Sequence, residues 1–425
     1  MQLKHILPLF IIASLWSCDS KTVAKSSDYN TYLNTAITAE DLQDDIDFWT
    51  LKIKNSSSPY AYFISRAQAK TKVFNSTGNI NYLIDAENDL LKAKAIVKDS
   101  DAGLLRQIAS NYISQHRFKE ALVLLKQAEK NGEKLNSTKK MLFDVHLELG
   151  NYIYAEAYLN DIKNEASFDY LLRLSKLEDH KGNLDTAIEH MEEATAIAEA
   201  SNLKNLKLWS YTNSADFYGH AGNINKSYTY YLKALALDPN NAYAKKGIAW
   251  IAYANDNNPD EALRILNHIT TYYNAPDYDL FKAEIAEYKH NDSLKTKHLN
   301  HYLAAIDNKL YGEMYNKYNV LLFSEDLENP DRALELAKRE IENRATPQSY
   351  DLLAWSYYKQ GQVAKAEAIM DEFVVGKTFE PAVLYHIAEI YKASGNTDKI
   401  LPLKTELLAS LYELGPLMKQ KINQL

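Results

Sequence analysis

The chain has a single cysteine, Cys18, in 425 residues. A lone thiol excludes an internal disulfide framework and any zinc site built from thiolates of this chain. Basic charge is also in short supply: 48 Lys and Arg stand against 56 Asp and Glu, a net charge of -8. No basic stripe of the kind that duplex binding requires is present, so nucleic acid is not an expected partner. The main apolar run, residues 6–16, is too short to span a bilayer and carries Pro8. Signatures of chemistry are missing as well. There is no G-x-S-x-G, no G-x-x-x-x-G-K, no H-E-x-x-H and no G-x-G-x-x-G. Neither catalysis nor a cofactor is expected. The carboxylate pairs Asp44-Asp45 and Glu192-Glu193 are consecutive, which puts their members on different sides of a helix, as solvated surface.

Lys4 and His5 precede the apolar run, and residues 1–17 read as an export signal. The run ends in Leu15-Trp16-Ser17-Cys18, which resembles the lipobox of bacterial lipoproteins. That resemblance implies cleavage before Cys18, acylation of its thiol, and a protein held in the bacterial cell envelope through a lipid anchor alone. Residues 18–38 are rich in Ser, Asp, Asn, Thr and Lys and are expected to form a flexible tether, with the folded body over 39–425.

With 46% hydrophobic and 24% charged residues, the rest of the chain has the composition of a folded protein. Leu42, Ile46, Trp49 and Ile53 recur at helical spacing, which predicts an amphipathic capping helix over 39–54. A local rule then repeats. Gly followed by Asn or Gln occurs at 78, 150, 182, 222, 361 and 395, using six of the thirteen glycines as helix stops. Five residues beyond most of these glycines stands a small side chain, Ala155, Ala187, Ser227 or Ala366, which lets two antiparallel helices approach; Leu83 and Ile400 depart from the rule. Ala121 plays the same part with His116 at the glycine position. Asn258-Pro259 and Asn329-Pro330 open two copies of a longer, glycine-free turn, with each proline in the first turn of a helix.

Residues 208–239 hold the clearest copy, with Ala215, Tyr218, Gly222, Ser227, Tyr231, Ala234 and Pro239 at fixed offsets. These positions resemble the tetratricopeptide repeat, a helix-turn-helix unit of 34 residues. The resemblance implies an all-α, right-handed superhelical solenoid of antiparallel helix pairs, about nine to ten pairs with capping helices. Repeats are expected to start near 102, 136, 168, 208, 242, 313, 347 and 381. Residues 276–307 are expected to form a degenerate unit, and residues 407–425 to cover the end of the stack.

In such a stack the first helix of each pair lines the concave side. The family's groove positions fall on Arg106, Ser110, Lys140, Asp144, Trp209, Thr212, Asp216, Tyr243, Lys246, Trp250, Tyr253, Asp351, Trp355, Tyr358, Tyr385, Glu389 and Lys392. Trp250 and Trp355 share one position in different repeats; each either faces the groove or packs between neighbouring helices. The equivalent positions lack the Lys and Asn of a carboxylate clamp. The expected function is therefore a non-catalytic scaffold that binds a peptide or helix of another envelope protein, with a surface glycan-binding lipoprotein as the alternative. His298 and His301 lie one turn apart on a predicted helix near His290, but no carboxylate stands at matching spacing, so no metal is expected. The 31 tyrosines are read chiefly as helix packing with the hydroxyl at the edge.

Overall fold

In the computed structural model, which describes residues 22–34, 39–97 and 101–425, the Gly-Asn dipeptides sit where one helix stops and its partner starts. Two helices, α1 (Ser26–Leu33) and α2 (Ala39–Lys54), precede ten hairpins. These are α3/α4 (Tyr60–Thr77, Ile80–Val97), α5/α6 (Ala102–Ser114, Phe118–Asn131), α7/α8 (Leu135–Glu148, Tyr152–Asp161), α9/α10 (Phe168–His180, Leu184–Ser201) and α11/α12 (Lys204–His220, Ile224–Leu237). They continue with α13/α14 (Ala242–Trp250, Pro259–Ile269), α15/α16 (Asp277–Tyr288, Asp292–Ile306), α17/α18 (Asn316–Glu325, Pro330–Asn343), α19/α20 (Pro347–Lys359, Val363–Phe373) and α21/α22 (Pro381–Ser394, Ile400–Ala409). Short helices α23 (Leu411–Leu414) and α24 (Met418–Asn423) finish the chain, and no strand occurs among the described residues.

The turn chemistry explains the hairpins. Gly222 takes the left-handed conformation at φ 72°, and the Asn223 side chain then caps α12 by accepting from the Lys226 amide at 3.3 Å. Repeats without the glycine keep the same backbone: His116, Asn257, His290 and Glu328 all have positive φ, between 47° and 58°. In both Asn-Pro copies the capping asparagine's amide reaches back to a carbonyl inside the first helix, Asn258 to Ala252 at 2.7 Å and Asn329 to Phe323 at 2.8 Å. In the first copy a π-helical turn, Ile251–Asn255, absorbs the added residue. The small residues behind the turns, Ala121, Ala155, Ala187, Ser227 and Ala366, are all buried between paired helices.

The stack winds far enough for its second half to rest on its first. The Asn274 amide donates to the Thr77 carbonyl at 2.7 Å. Arg344 pairs with Glu148 at 2.8 Å across 196 residues of sequence. At the same seam a β-carbon on Gly150 would lie 2.8 Å from the Ala345 carbonyl oxygen, and one on Gly182 would lie 2.6 Å from the Phe379 ring. These glycines therefore serve two ends, the helix stop and the close passage of the next superhelical turn.

Two terminal segments depart from expectation. The expected tether holds α1, and its described residues are docked rather than free. Tyr29 is buried and donates to Glu261 at 2.5 Å, the Val23 and Ala24 amides donate to the Asp256 carboxylate at 3.0 and 2.8 Å, and Arg264 donates to Asn30 at 2.7 Å. Apolar Val23, Ala24, Tyr29 and Leu33, spread among polar residues, are enough to seat this short helix beside α12 and α14. At the other end, Ile422 of α24 is buried against the last pair, while α23 turns into the concave side.

Candidate functional site

The first helices of the pairs face inward and line a half-open cavity of about 1230 Å³. Its wall comes from the early helices α3 and α5, with Gln68, Thr71, Lys72, Asn75, Gln107 and Ser110, and from the middle of the chain, with Lys204, Asn205, Leu208, Tyr243, Lys246, Tyr278 and Tyr318. A second hollow of about 610 Å³ shares Gln107 and Ser110 with it and continues along α7 and α9 through Arg106, Asp144, Glu148 and Lys176. Together they form one trough inside the superhelix.

Two tyrosines present open faces in the main cavity: Tyr243 is 55% exposed and Tyr318 40%. The Tyr243 ring is held by its hydroxyl, which donates to Asp216 at 2.6 Å; the same carboxylate accepts from Tyr231 at 2.6 Å. Burial pushes the Asp216 carboxyl up despite those two bonds, and burial beside that carboxylate keeps Tyr243 a neutral donor. Of the wall cations, Lys246 is neutralised by Asp277 at 2.5 Å, whereas Lys72 reaches Asp45 only loosely at 3.6 Å and Lys204 has no ion pair among the described residues. Gln68 donates to Gln107 at 2.8 Å, leaving amide groups along the floor. An aromatic wall, amides and two solvated ammonium groups can hold an extended chain through its backbone and side chains.

The sequence-predicted residues divide into three groups. Tyr243 and Lys246 line the cavity. Trp209, 36% exposed, lies at the edge of the second hollow with the Lys176 ammonium 4.9 Å from its ring, while Asp216 supports Tyr243 from behind. The third group does not face an open groove. Tyr253 is buried in the π-helical turn among Trp250, Phe281 and Tyr288. Trp355, 3% exposed, stacks on His386 at 3.9 Å and donates to Glu325 at 3.1 Å. Tyr358 and Tyr385 both bond to Glu389, at 3.4 and 3.2 Å, and Lys392 donates to the Gln424 carbonyl at 2.7 Å. Cys18 lies outside the described residues.

Trp250 is half-buried for a reason that the repeat pattern does not contain. Its indole donates to the Tyr412 carbonyl at 3.0 Å, and a β-carbon at Gly415 would come within 3.1 Å of its ring. Tyr412 in turn packs on Gly219, where an added β-carbon would be 3.1 Å from the tyrosine ring. Residues 411–415 thus cover the C-terminal ends of α11, α13 and α15, and the cavity occupies the opposite ends of the same helices. Beneath this segment Glu284 has its carboxyl pushed up to about 7, chiefly by burial.

Sequence reasoning also missed Asp279. Projecting from α15, it brings its Oδ1 to 2.7 Å from His298 Nδ1 and 3.9 Å from His301 Nδ1. The expectation that no carboxylate matches the two histidines holds for their own helix only.

The architecture defines the class, a superhelical stack of antiparallel helix hairpins around a lined cavity. Two of its hairpins are recognised as tetratricopeptide repeats, through family matches at residues 210–241 and 348–375. No curated protein matches the chain. Similar solved structures include a monomeric IFIT1 mutant with Gppp-AAAA, at 15% identity over 78% of this chain and 75% of that chain, TM-score 0.46. A tetratricopeptide repeat protein from Parabacteroides merdae is 14% identical over 59% of this chain and 97% of that one, TM-score 0.39. YrrB, a TPR protein with an unusual peptide-binding site, is 20% identical over 47% of this chain and 96% of that one, TM-score 0.29.

Proposed function

We propose that the protein is a non-catalytic scaffold that holds an extended peptide segment of another envelope protein inside its superhelix. The observation that carries this reading is the cavity itself. At about 1230 Å³ it exceeds the usual small-molecule range, and the open faces of Tyr243 and Tyr318 offer flat anchors. Lys72 and Lys204 favour a segment that carries acidic residues. The ring of Trp355, which a sugar could have stacked on, is covered by His386, and this disfavours the glycan alternative at that position.

The lipid anchor at Cys18 belongs to the same proposal, and the docking of α1 bears on how far such an anchor would let the body stand off. Val23 is pinned to Asp256, and the five residue-to-residue steps from Cys18 to Val23 span at most roughly 18 Å. An acylated Cys18 would hold the body close against the bilayer.

Peptide-library selection on the intact chain tests the cavity. Peptides bound by the wild type are expected to lose at least tenfold in affinity with Tyr243→Ala combined with Tyr318→Ala, and to weaken with Lys204→Glu. Unchanged binding would place the site elsewhere. Metabolic labelling with palmitate is expected to mark the wild type and to vanish in Cys18→Ser; an unlabelled wild type would remove the anchor.

A further inference from the structure

We propose that Asp279, His298 and His301 bind one divalent transition-metal ion of the zinc class, joining α15 to α16. The two histidines are one turn apart on α16 and share a face, and the antiparallel α15 brings Asp279 in front of them. One carboxylate oxygen has the Nδ1 atoms of both imidazoles near it, His298 at 2.7 Å and His301 at 3.9 Å, and one donor atom from each of the three residues lies within 4.8 Å of the others. The rings stand nearly perpendicular, at 87°, with centroids 6.0 Å apart.

A tetrahedral ion about 2.0–2.2 Å from each ligand needs ligand atoms separated by about 3.4 Å. The two measured separations from Asp279 fall on either side of that value. His301, half-exposed, has the rotamer freedom to close the wider gaps, whereas His298 is held in the hairpin. A simple histidine–carboxylate hydrogen bond accounts for His298 alone; His301, 3.9 Å from the same oxygen, is beyond hydrogen-bond reach and within reach of a shared ion. The neighbouring cation on α15 is drawn away, since Lys282 donates to Thr270 Oγ1 at 2.7 Å. Two imidazoles and a carboxylate suit Zn²⁺, Ni²⁺ or Cu²⁺ and disfavour Mg²⁺ and Ca²⁺, which prefer all-oxygen shells. Three protein ligands leave a fourth position for water or for a group from a bound partner.

Calorimetric titration of Zn²⁺ into the full chain, free of any affinity tag and stripped of metal, tests the site. One Zn²⁺ per chain is expected, with a raised thermal midpoint and, for Co²⁺, visible ligand-field bands. His301→Ala, a change at a half-exposed position, is expected to weaken Zn²⁺ binding at least tenfold with an unaltered helical spectrum, and Asp279→Asn to weaken it comparably. Absence of stoichiometric binding, equal binding of Mg²⁺, or full binding by His301→Ala would overturn the proposal.

Discussion

The indole N–H of Trp250 donates to the backbone carbonyl of Tyr412 at 3.0 Å, across 162 residues of sequence. This bond fixes the C-terminal segment on the concave face and decides which part of that face stays open. Tyr412 is wedged against Gly219, so removing its ring leaves a void that neither helix can fill. Tyr412→Ala is expected to cost about 3 kcal/mol in unfolding and to shift Trp250 fluorescence to the red, read against a Trp250→Phe control.

The seam between superhelical turns gives a paired comparison. Gly150 and Gly222 share the left-handed conformation, at φ 74° and 72°, but only Gly150 has the Ala345 carbonyl 2.8 Å from where a β-carbon would stand. Gly222→Ala is expected to lose about 1 kcal/mol from backbone strain, and Gly150→Ala about 2–3 kcal/mol from strain and overpacking together. Urea unfolding of the two variants measures the difference, and equal losses would mean that the turns do not press on one another.

Glu328 is the converse case. It occupies the glycine position of its turn with φ 47° and an exposed side chain. Glu328→Gly is expected to stabilise the chain by about 0.5–1 kcal/mol, the relief of left-handed strain less the added freedom of the unfolded state. A lower thermal midpoint would show that the side chain contributes more than its conformation costs.

Glu284 sets a pH dependence. Its carboxyl is raised from an ordinary value of 4.5 to about 7 by burial under the C-terminal segment, facing Tyr253, Glu287 and Lys421. The folded state therefore holds this proton more tightly than the unfolded one. Its contribution is fully present below pH 4.5 and is lost as pH rises through about 7, by up to about 3 kcal/mol. His116, lowered to about 4 by burial, works oppositely on the acid side, so the difference between wild type and Glu284→Gln is the informative quantity. Glu284→Gln is expected to gain relative stability from pH 5 to about pH 7 and to level off above it; a flat difference throughout would locate the carboxylate in solvent.

How far the sequence could be read depended on whether a feature was local. The stops at Gly78 to Gly395, the small residues behind them and the repeat starts are set within one hairpin, and the helices begin within a few residues of those positions. Even His116 was legible in the glycine place, because a left-handed residue must stand there. What failed was long-range. Nothing in 208–255 tells that Tyr412 will cover Trp250, and nothing near 298 points to Asp279. For Trp355 the repeat pattern leaves groove and interhelix packing both open, and only His386, one repeat later, decides for packing by stacking on it. The docked α1 was masked by its polar composition, since four apolar side chains among many polar ones suffice when Asp256, Glu261 and Arg264 bind the backbone and the edges.

A peptide held in the cavity would be captured by a photo-crosslinking amino acid placed at Tyr318, inside the superhelix, and missed by one placed separately at Ile153, 83% exposed. Both are irradiated in cells that express the protein natively, with mass spectrometry of the adducts. The expected result is one recurrent protein crosslinked from position 318 through a short extended segment and absent from position 153. Capture of the same protein from position 153, or no protein adduct from position 318, would contradict it.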